Sequence, residues 1–387
     1  MLSKRMERVP PYVFAHVSKL IAGKKAQGVD VINLGIGSPD LPTPAHIVDV
    51  LKQAAEDPTN HGYPSYTGMP AFRKAIAGWY KRRFDVDLDP DTEVVPLIGS
   101  KEGIAHLAMA LVGPGDIALV PDPGYPTYRM GTVLADADSY PMPLLARNGF
   151  LPDLDAIPPD VLDRSRVIWL NYPNNPTGAV APLSFFEDLV VFAREHNIVI
   201  AHDNPYADVT FDGYQAPSLL QVPGAKDVAV ELNSLSKTYN MAGWRVGMAV
   251  GNAGVIAGLI RVKSNVDTGI FNPIQIAASA ALEGDQGWIA ERNAVYQRRR
   301  DILLEGLAAV GLEAYKPKAA LYVWAQTPGG QKSSDFAMHV LDHAGVWITP
   351  GSAYGEAGEG YVRLSLCATE ERLKEAMDRL QATDPRA

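Results

Sequence analysis

Apolar positions along the 387-residue chain recur in two modes. Short runs such as Val167–Leu170, Ile198–Ala201 and Val228–Leu232 are rich in β-branched residues and bounded by polar or turn residues, so they predict buried strands. Met248-Ala249-Val250 is another short apolar run. The segment Ile104–Leu111 instead carries apolar residues at helical spacing. From about Ile47 to Gly284 the two modes mostly alternate, which implies an α/β fold with a largely parallel sheet covered on both faces. Gln286–Ala309 predicts one long helix, with Trp288, Ile289, Tyr296, Ile302 and Leu303 near helical spacing and charges between them. Beyond it, Tyr322–Trp324, Val346–Ile348 and Val362–Leu364 read as short strands of a smaller α+β unit. A last helix opens near Ala368–Glu371, with Thr369 as its N-cap.

Composition narrows the class. The length suggests two or three domains, and 47% hydrophobic with 20% charged residues describes an ordinary globular chain. The formal charge of −9 repels a nucleic-acid backbone, and no basic stripe offsets it, so no nucleic-acid partner is expected. Lys81-Arg82-Arg83 and Arg298-Arg299-Arg300 are expected on solvated helix faces. A single cysteine, Cys367, excludes an intrachain disulfide and suits a reducing cytoplasm. The first residues lack the apolar core of a signal peptide, and no run reaches the ~18 apolar residues of a membrane helix, so no membrane partner is expected. There is no internal repeat or low-complexity segment.

The chemistry concentrates in the loop between two of the predicted strands. Ser234-Leu235-Ser236-Lys237 is followed by Gly243-Trp244-Arg245-Val246-Gly247, with the arginine eight positions after the lysine. An amine attacks an aldehyde only when neutral, and desolvation or a nearby positive charge frees it. The two hydroxyls and the forked guanidinium are donors that suit a phosphate dianion. An aldehyde that carries its own phosphate is pyridoxal 5′-phosphate. On a solvated loop the same residues would be ordinary surface charges; the flanking apolar strands favour a site.

Such a cofactor works best with a protonated ring nitrogen beside a buried carboxylate. Asp203 ends the run Ile198–His202, where open α/β sheets place their ligands; the alternative is a cap on a following helix. Asn175 lies in Tyr172-Pro173-Asn174-Asn175-Pro176-Thr177-Gly178, a loop stiffened by proline that could equally be a generic turn. Gly99-Ser100-Lys101 opens the helix through Leu111 and offers either a phosphate seat or a plain serine N-cap. Tyr125 could stack on a ring or simply pack. Arg363 alternates within Tyr361–Leu366, a half-buried strand by pattern, where it wants a substrate carboxylate or a structural ion pair.

Taken in order, these residues resemble the class I/II aminotransferases of pyridoxal-phosphate fold type I, from Ile32-Asn33-Leu34-Gly35-Ile36-Gly37 to Arg363. The resemblance implies a large domain with a mostly parallel seven-stranded sheet over residues 46–284. It also implies a smaller domain from 1–45 and 285–387, with the cofactor in the cleft. It implies that Lys237 binds the cofactor as a Schiff base and shuttles the substrate proton, and that Asp203 holds the ring-nitrogen proton. Tyr206 and Asn175 would bind the phenolic oxygen, and Tyr125 would stack on the ring. Ser234, Ser236, Arg245, Gly99, Ser100 and the Lys101 backbone would hold the phosphate. Arg363, Asn175 and Gly37 would take the substrate. Tyr63 matches a tyrosine that reaches the neighbouring subunit's phosphate, implying a homodimer with shared active sites.

Further stretches resemble the LL-diaminopimelate aminotransferases: Pro10–Phe14, Gly37–Pro44, Gly99–Ile104 and Ser236–Met241. The favoured reaction is therefore ping-pong transfer between LL-2,6-diaminopimelate and 2-oxoglutarate or glutamate, in lysine biosynthesis, with an amino acid and a 2-oxo acid as partners and no metal. Aspartate, alanine or broad-specificity aminotransferases use similar phrases, and a C–S lyase of the same fold would share Lys237 and Asp203. The absence of arginine between Ser264 and Gln275 argues against one aspartate-specific subgroup. A regulator with an added DNA-binding module fits poorly with the short leader before Ile32. Gly35-Ile36-Gly37 lacks the third glycine of a dinucleotide fingerprint.

Overall fold

The computed structural model describes residues 2–10 and 13–383. Pro11 and Tyr12, within the Pro10–Phe14 stretch, lie outside the described residues. The strands are β1 (Ile32–Asn33), β2 (Val94–Leu97), β3 (Ile117–Asp122), β4 (Asp138–Pro143), β5 (Ser165–Leu170), β6 (Val199–Asp203), β7 (Ala229–Ser234), β8 (Gly247–Gly251), β9 (Ala314–Tyr315), β10 (Tyr322–Gln326), β11 (Val346–Trp347), β12 (Thr349–Pro350) and β13 (Tyr361–Ser365). The helices are α1 (Val13–Ala26), α2 (Ala45–Glu56), α3 (Pro70–Phe84), α4 (Ser100–Leu111), α5 (Thr127–Leu134), α6 (Pro159–Arg164), α7 (Leu183–His196), α8 (Leu235–Thr238), α9 (Ala253–Ser264), α10 (Asn272–Glu283), α11 (Trp288–Ala309), α12 (Ser333–Ala344) and α13 (Glu370–Ala382).

A seven-stranded sheet runs β2-β8-β7-β6-β5-β3-β4, parallel throughout except for β8. Its central strands are apolar on both faces because both faces are covered. Val167 and Trp169 of β5 pack with Ile104, Leu107, Ile256 and Leu259 of α4 and α9. Ile168 and Leu170 point the other way, into the core with α3, α7 and α10.

The reversed strand positions the chemistry. Because β8 is antiparallel, its first residue, Gly247, pairs with the last residue of β7, Ser234, and with Leu97 at the end of β2. Arg245 therefore arrives at the same rim as the C-terminal ends of β2, β6 and β7. That rim is where parallel sheets bind ligands.

A second core joins Val17, Ile21 and Leu34 to Tyr296, Leu303, Phe336 and Leu373. It backs the antiparallel sheet β12-β13-β10-β9, while β1 pairs in parallel with β11. The two bodies meet beside the rim: Gly124 N–H donates to the Tyr354 carbonyl at 2.8 Å, and Asp122 accepts from the Glu356 and Ala357 N–H groups. Thr369 caps α13 as expected, accepting from Arg372 N–H.

Two expectations are corrected. The strand bearing Arg363 is not half-buried: β13 lies between β10 and β12, and Val362–Ser365 are all buried. In the Arg298–Arg300 run Arg298 is solvated as expected, its side chain 58% exposed, but Arg299 and Arg300 are not. Arg299 is buried on Asp40 (2.7 and 2.9 Å), and Arg300 on Asp212 and Asp301. Of Lys81–Arg83, Lys81 is solvated with Asp85 and Asp87, whereas Arg83 binds Asp208 at 2.8 Å and Arg82 binds the Leu282 carbonyl.

A buried polar cluster stiffens the sheet. Glu231 of β7 is fully buried and accepts from the Tyr80 hydroxyl (2.9 Å), Ser218 Oγ (3.0 Å) and Leu219 N–H (3.1 Å). His202 Nδ1 lies 2.9 Å from Oε2, the oxygen that Ser218 and Leu219 also reach, with Nε2 3.0 Å from the Tyr172 carbonyl. Removing the carboxylate strands several buried donors at once. Glu231→Ala is expected to destabilise the protein by about 3 kcal/mol or more, read as a lowered urea midpoint. A shift below ~1 kcal/mol would mean that these bonds add nothing net to stability.

Candidate active site

The Ser234 hydroxyl ends β7 and accepts from Ser236 N–H, capping the one-turn helix α8. Lys237 follows on that turn and points into a cavity of about 380 Å³. Its Nζ donates to the Gly37 carbonyl at 2.6 Å. Gly37 can be only glycine here, because a Cβ would collide with the Tyr322 hydroxyl and ring.

Asp203, the last residue of β6, faces the same cavity and is 4% exposed. No helix starts after it, so the capping alternative falls. Oδ2 accepts from the Tyr128 hydroxyl at 2.8 Å, and Tyr128 is stacked on Trp169. Oδ1 is buried with no partner among the described residues. Burial raises the Asp203 carboxyl to about 6, against the lowering pull of the Tyr128 bond and the His202 and Lys237 charges. Asn171 ties this strand end to the next loop: its amide donates to the Asp203 carbonyl (2.7 Å) and its Oδ1 accepts from Asn175 N–H (2.7 Å). The Tyr172–Pro173 and Asn175–Pro176 bonds in that loop are cis.

Arg363 is 3% exposed and holds no carboxylate among the described residues, which removes the structural ion-pair reading. It donates to Asn175 Oδ1 (2.7 Å) and the Gly35 carbonyl (2.6 Å), and its Nε has no partner. Its guanidinium carbon lies 4.0 Å from the Tyr322 ring centroid and 4.9 Å from that of Tyr354. A buried cation held only by neutral groups is costly unless an anion completes it. The Tyr206 and Tyr322 hydroxyls lie 2.9 Å apart, and burial pushes the Tyr206 phenol well above its usual range.

Opposite these groups, α4 begins with a bare N-terminus. Its N-cap is Gly99 at φ +73°, not Ser100, and no side chain caps it. A Cβ on Gly99 would strike the Arg245 guanidinium. Ser100, Lys101, Ser234, Ser236 and Arg245 all line the cavity. Exposed first-turn N–H groups, hydroxyls and a guanidinium together make an anion seat.

Glu102, one turn in, accepts from Ile98 N–H at 2.9 Å and braces the turn. Glu102, His106 and Asp267 could resemble metal ligands, but Lys263 already sits among them. Its ammonium, on a side chain 1% exposed, is 2.9 Å from Asp267 and 3.4 Å from Glu102.

The donor set fits pyridoxal 5′-phosphate: an amine, an unpartnered buried carboxylate oxygen and an anion seat share one cavity. Every expected cavity residue lines it except Gly99, which shapes it from behind, and Tyr63, which is 92% exposed and faces away. Tyr125 lines the cavity edge-on to Tyr128. Sequence reasoning missed Tyr128, Asn171, Tyr322 and Tyr354. Tyr128 and Asn171 flank residues already singled out, and that proximity was the available signal. Tyr322 and Tyr354 carried none.

Comparison with known proteins agrees with this geometry. Residues 29–380 match the family model "Aminotransferase class I and II". The LL-diaminopimelate aminotransferase of Moorella thermoacetica is 55% identical over 98% of this chain and 97% of that relative. The enzyme of that name from Aquifex aeolicus is 52% identical over 98% of each. Among solved structures, substrate-bound BacF from Bacillus subtilis superposes with a TM-score of 0.96 at 40% identity, covering 99% of this chain and 98% of that one. A probable N-succinyldiaminopimelate aminotransferase from Thermus thermophilus gives 0.91 at 39%, covering 96% and 100%.

The raised Asp203 carboxyl has a stability signature. Between the ordinary value of 3.8 and about 6, the folded cofactor-free chain binds the proton more tightly than the unfolded chain does. This contribution is therefore complete below the ordinary value and is lost as pH rises through about 6. Asp203→Asn is expected to raise the calorimetric unfolding temperature of cofactor-free protein at pH 8, with the difference shrinking toward pH 4. An unchanged or lowered temperature at pH 8 would contradict it.

Proposed function

The chain belongs to the class I and II aminotransferases, and from that membership we propose that it moves an amino group between LL-2,6-diaminopimelate and 2-oxoglutarate, a step of lysine biosynthesis. The observation that carries this substrate is identity of 55% over nearly the whole chain with proteins of that activity. The reaction class rests on Lys237, the unpartnered oxygen of Asp203 and the anion-free Arg363 sharing one cavity.

The cofactor of this class, pyridoxal 5′-phosphate, supplies an electron-accepting pyridine ring and a reactive aldehyde when bound. Ser100, Ser234, Ser236, Arg245 and the Lys101 N–H would hold its phosphate, with Gly99 leaving room for Arg245. Asp203 Oδ1 would keep the proton on the ring nitrogen, and Tyr128 aims that carboxylate. Tyr206 and Asn175 would bind the phenolic oxygen, and Tyr125 would cover the ring. Arg363 receives the substrate α-carboxylate bidentately, aligned by Asn175 and Gly35. Lys237 Nζ, released from the Gly37 carbonyl, would take a proton from the substrate Cα and deliver it to the carbon that came from the cofactor's aldehyde.

The chain divides into a large unit over 46–284 and a small unit from 1–45 and 285–387. It works in the cytoplasm as a homodimer, with Tyr63 lent to the partner's phosphate seat. No described helix is long and apolar enough to cross a membrane. The exposed side chains of Tyr63, Tyr66, Val266 and Phe271 are consistent with a covering partner.

Adding single amino acids to the loaded enzyme and following its visible absorption tests the substrate. LL-diaminopimelate is expected to bleach the band at least ~10-fold faster than aspartate, alanine or aromatic amino acids. Equal or slower bleaching by LL-diaminopimelate would remove it as the substrate. Lys237→Ala is expected to show no such band; bleaching by amino acids in that variant would overturn the reaction class. For the dimer, mixing inactive Tyr63→Ala and Lys237→Ala chains should restore about a quarter of wild-type activity through hybrids with one intact site. Mixed chains with no activity above the unmixed variants would refute the shared site.

A further inference from the structure

Helix α8 is a single turn, so its last carbonyls have no partner within the helix. They are bound from another part of the molecule. Arg292 of α11 directs one terminal nitrogen to the Lys237 carbonyl at 2.8 Å and to the Thr238 carbonyl. Its other terminal nitrogen donates to the Asp208 carbonyl (2.6 Å) and Asn293 Oδ1 (2.7 Å), and Nε also faces Asn293 Oδ1 (3.2 Å). All five N–H groups of the guanidinium are thus engaged. Asn293 in turn donates to the Asp208 carbonyl.

Arg292 is 4% exposed, and no carboxylate among the described residues lies within ion-pair distance. Asp208, the nearest acid in its surroundings, is itself engaged by Arg83. Tyr239, Tyr296 and the Trp288 ring complete those surroundings. Around Lys237 the charged and titratable groups are Asp203 and Cys367, together with Lys101, Arg245, Arg363 and the phenols of Tyr125, Tyr128, Tyr206, Tyr322 and Tyr354, which line the same cavity. A buried cation spent on main-chain carbonyls and one amide oxygen is an expensive way to close a helix turn. The same helix grips the lysine's other end: Arg299 binds Asp40, three residues after Gly37, whose carbonyl receives Lys237 Nζ.

We propose that Arg292 is a positioning residue for the reacting amine, fixing the main chain of Lys237 from α11 and adding positive charge beside it. The proposal rests on the reading of Lys237 as the reacting group. Wild-type enzyme that shows no lysine-bound cofactor band would defeat that reading; the outcomes below address Arg292 alone.

The test uses the loaded holoenzyme and three variants. Arg292→Met is expected to lower kcat by ~10- to 100-fold with KM within about twofold, as expected for lost positioning. It should also move the pH midpoint of the lysine–cofactor absorption band upward by about half a unit or more, since removing a positive charge favours the protonated form. Arg292→Lys keeps the charge and loses the fork, so kcat falls while the midpoint stays near wild type. Arg300→Met is the control: its thermal midpoint drops, but kcat and the spectral midpoint hold, because Arg300 engages Asp212, Asp301, the Pro317 carbonyl and the Phe211 ring, none of which lines the cavity. A folded Arg292→Met with wild-type kcat and midpoint would overturn the proposal. Should that variant fail to fold, wild-type kcat in Arg292→Lys would overturn it alone.

Discussion

A carboxylate and a guanidinium are buried in one cavity, and neither has an ion-pair partner among the described residues. Asp203 keeps one oxygen empty, and Arg363 is held by an amide oxygen, a carbonyl and two aromatic faces. Burial without a counter-charge is among the costliest arrangements in a protein. Joining the two would be the simple remedy, yet each is fixed on its own rigid strand, β6 and β13. Much of the surrounding structure serves to hold these two groups where only a ligand can complete them.

That task explains the asymmetry of the sheet. Parallel strands deliver Asp203 and Ser234 to one rim, but a loop leaving β7 would carry Arg245 away unless the next strand turned back. The antiparallel β8 turns it back and sets Gly247 against Ser100 N. The donors of the anion seat thus come from two strand ends and one helix start, with no long loop required. Residues held by strand ends lose little freedom when a ligand arrives, so more of the contact energy appears as affinity.

The strands and the reacting groups were legible in the sequence for a shared reason. Strands covered on both faces read as unbroken apolar runs, so β5, β6 and β7 stood out, and the chemistry sits where those runs stop. The rest depends on distant partners. Tyr128 reaches Asp203 across 75 positions, and Tyr206 meets Tyr322 across 116. Local pattern carries no trace of such pairs. Arg299 and Arg300 looked solvated because Asp40 and Asp212, which neutralise them, come from other elements. The alternation around Arg363 was real, but a second layer covers the face that the pattern assigned to solvent.

Lys263 has a consequence of its own. Acids gathered one turn inside an anion seat would oppose a phosphate, and many folds answer that problem with a bound divalent ion. Here an amine carried by the polypeptide does so, at 2.9 Å from Asp267. The electrostatic balance of the seat is therefore carried in part by a side chain of the polypeptide itself.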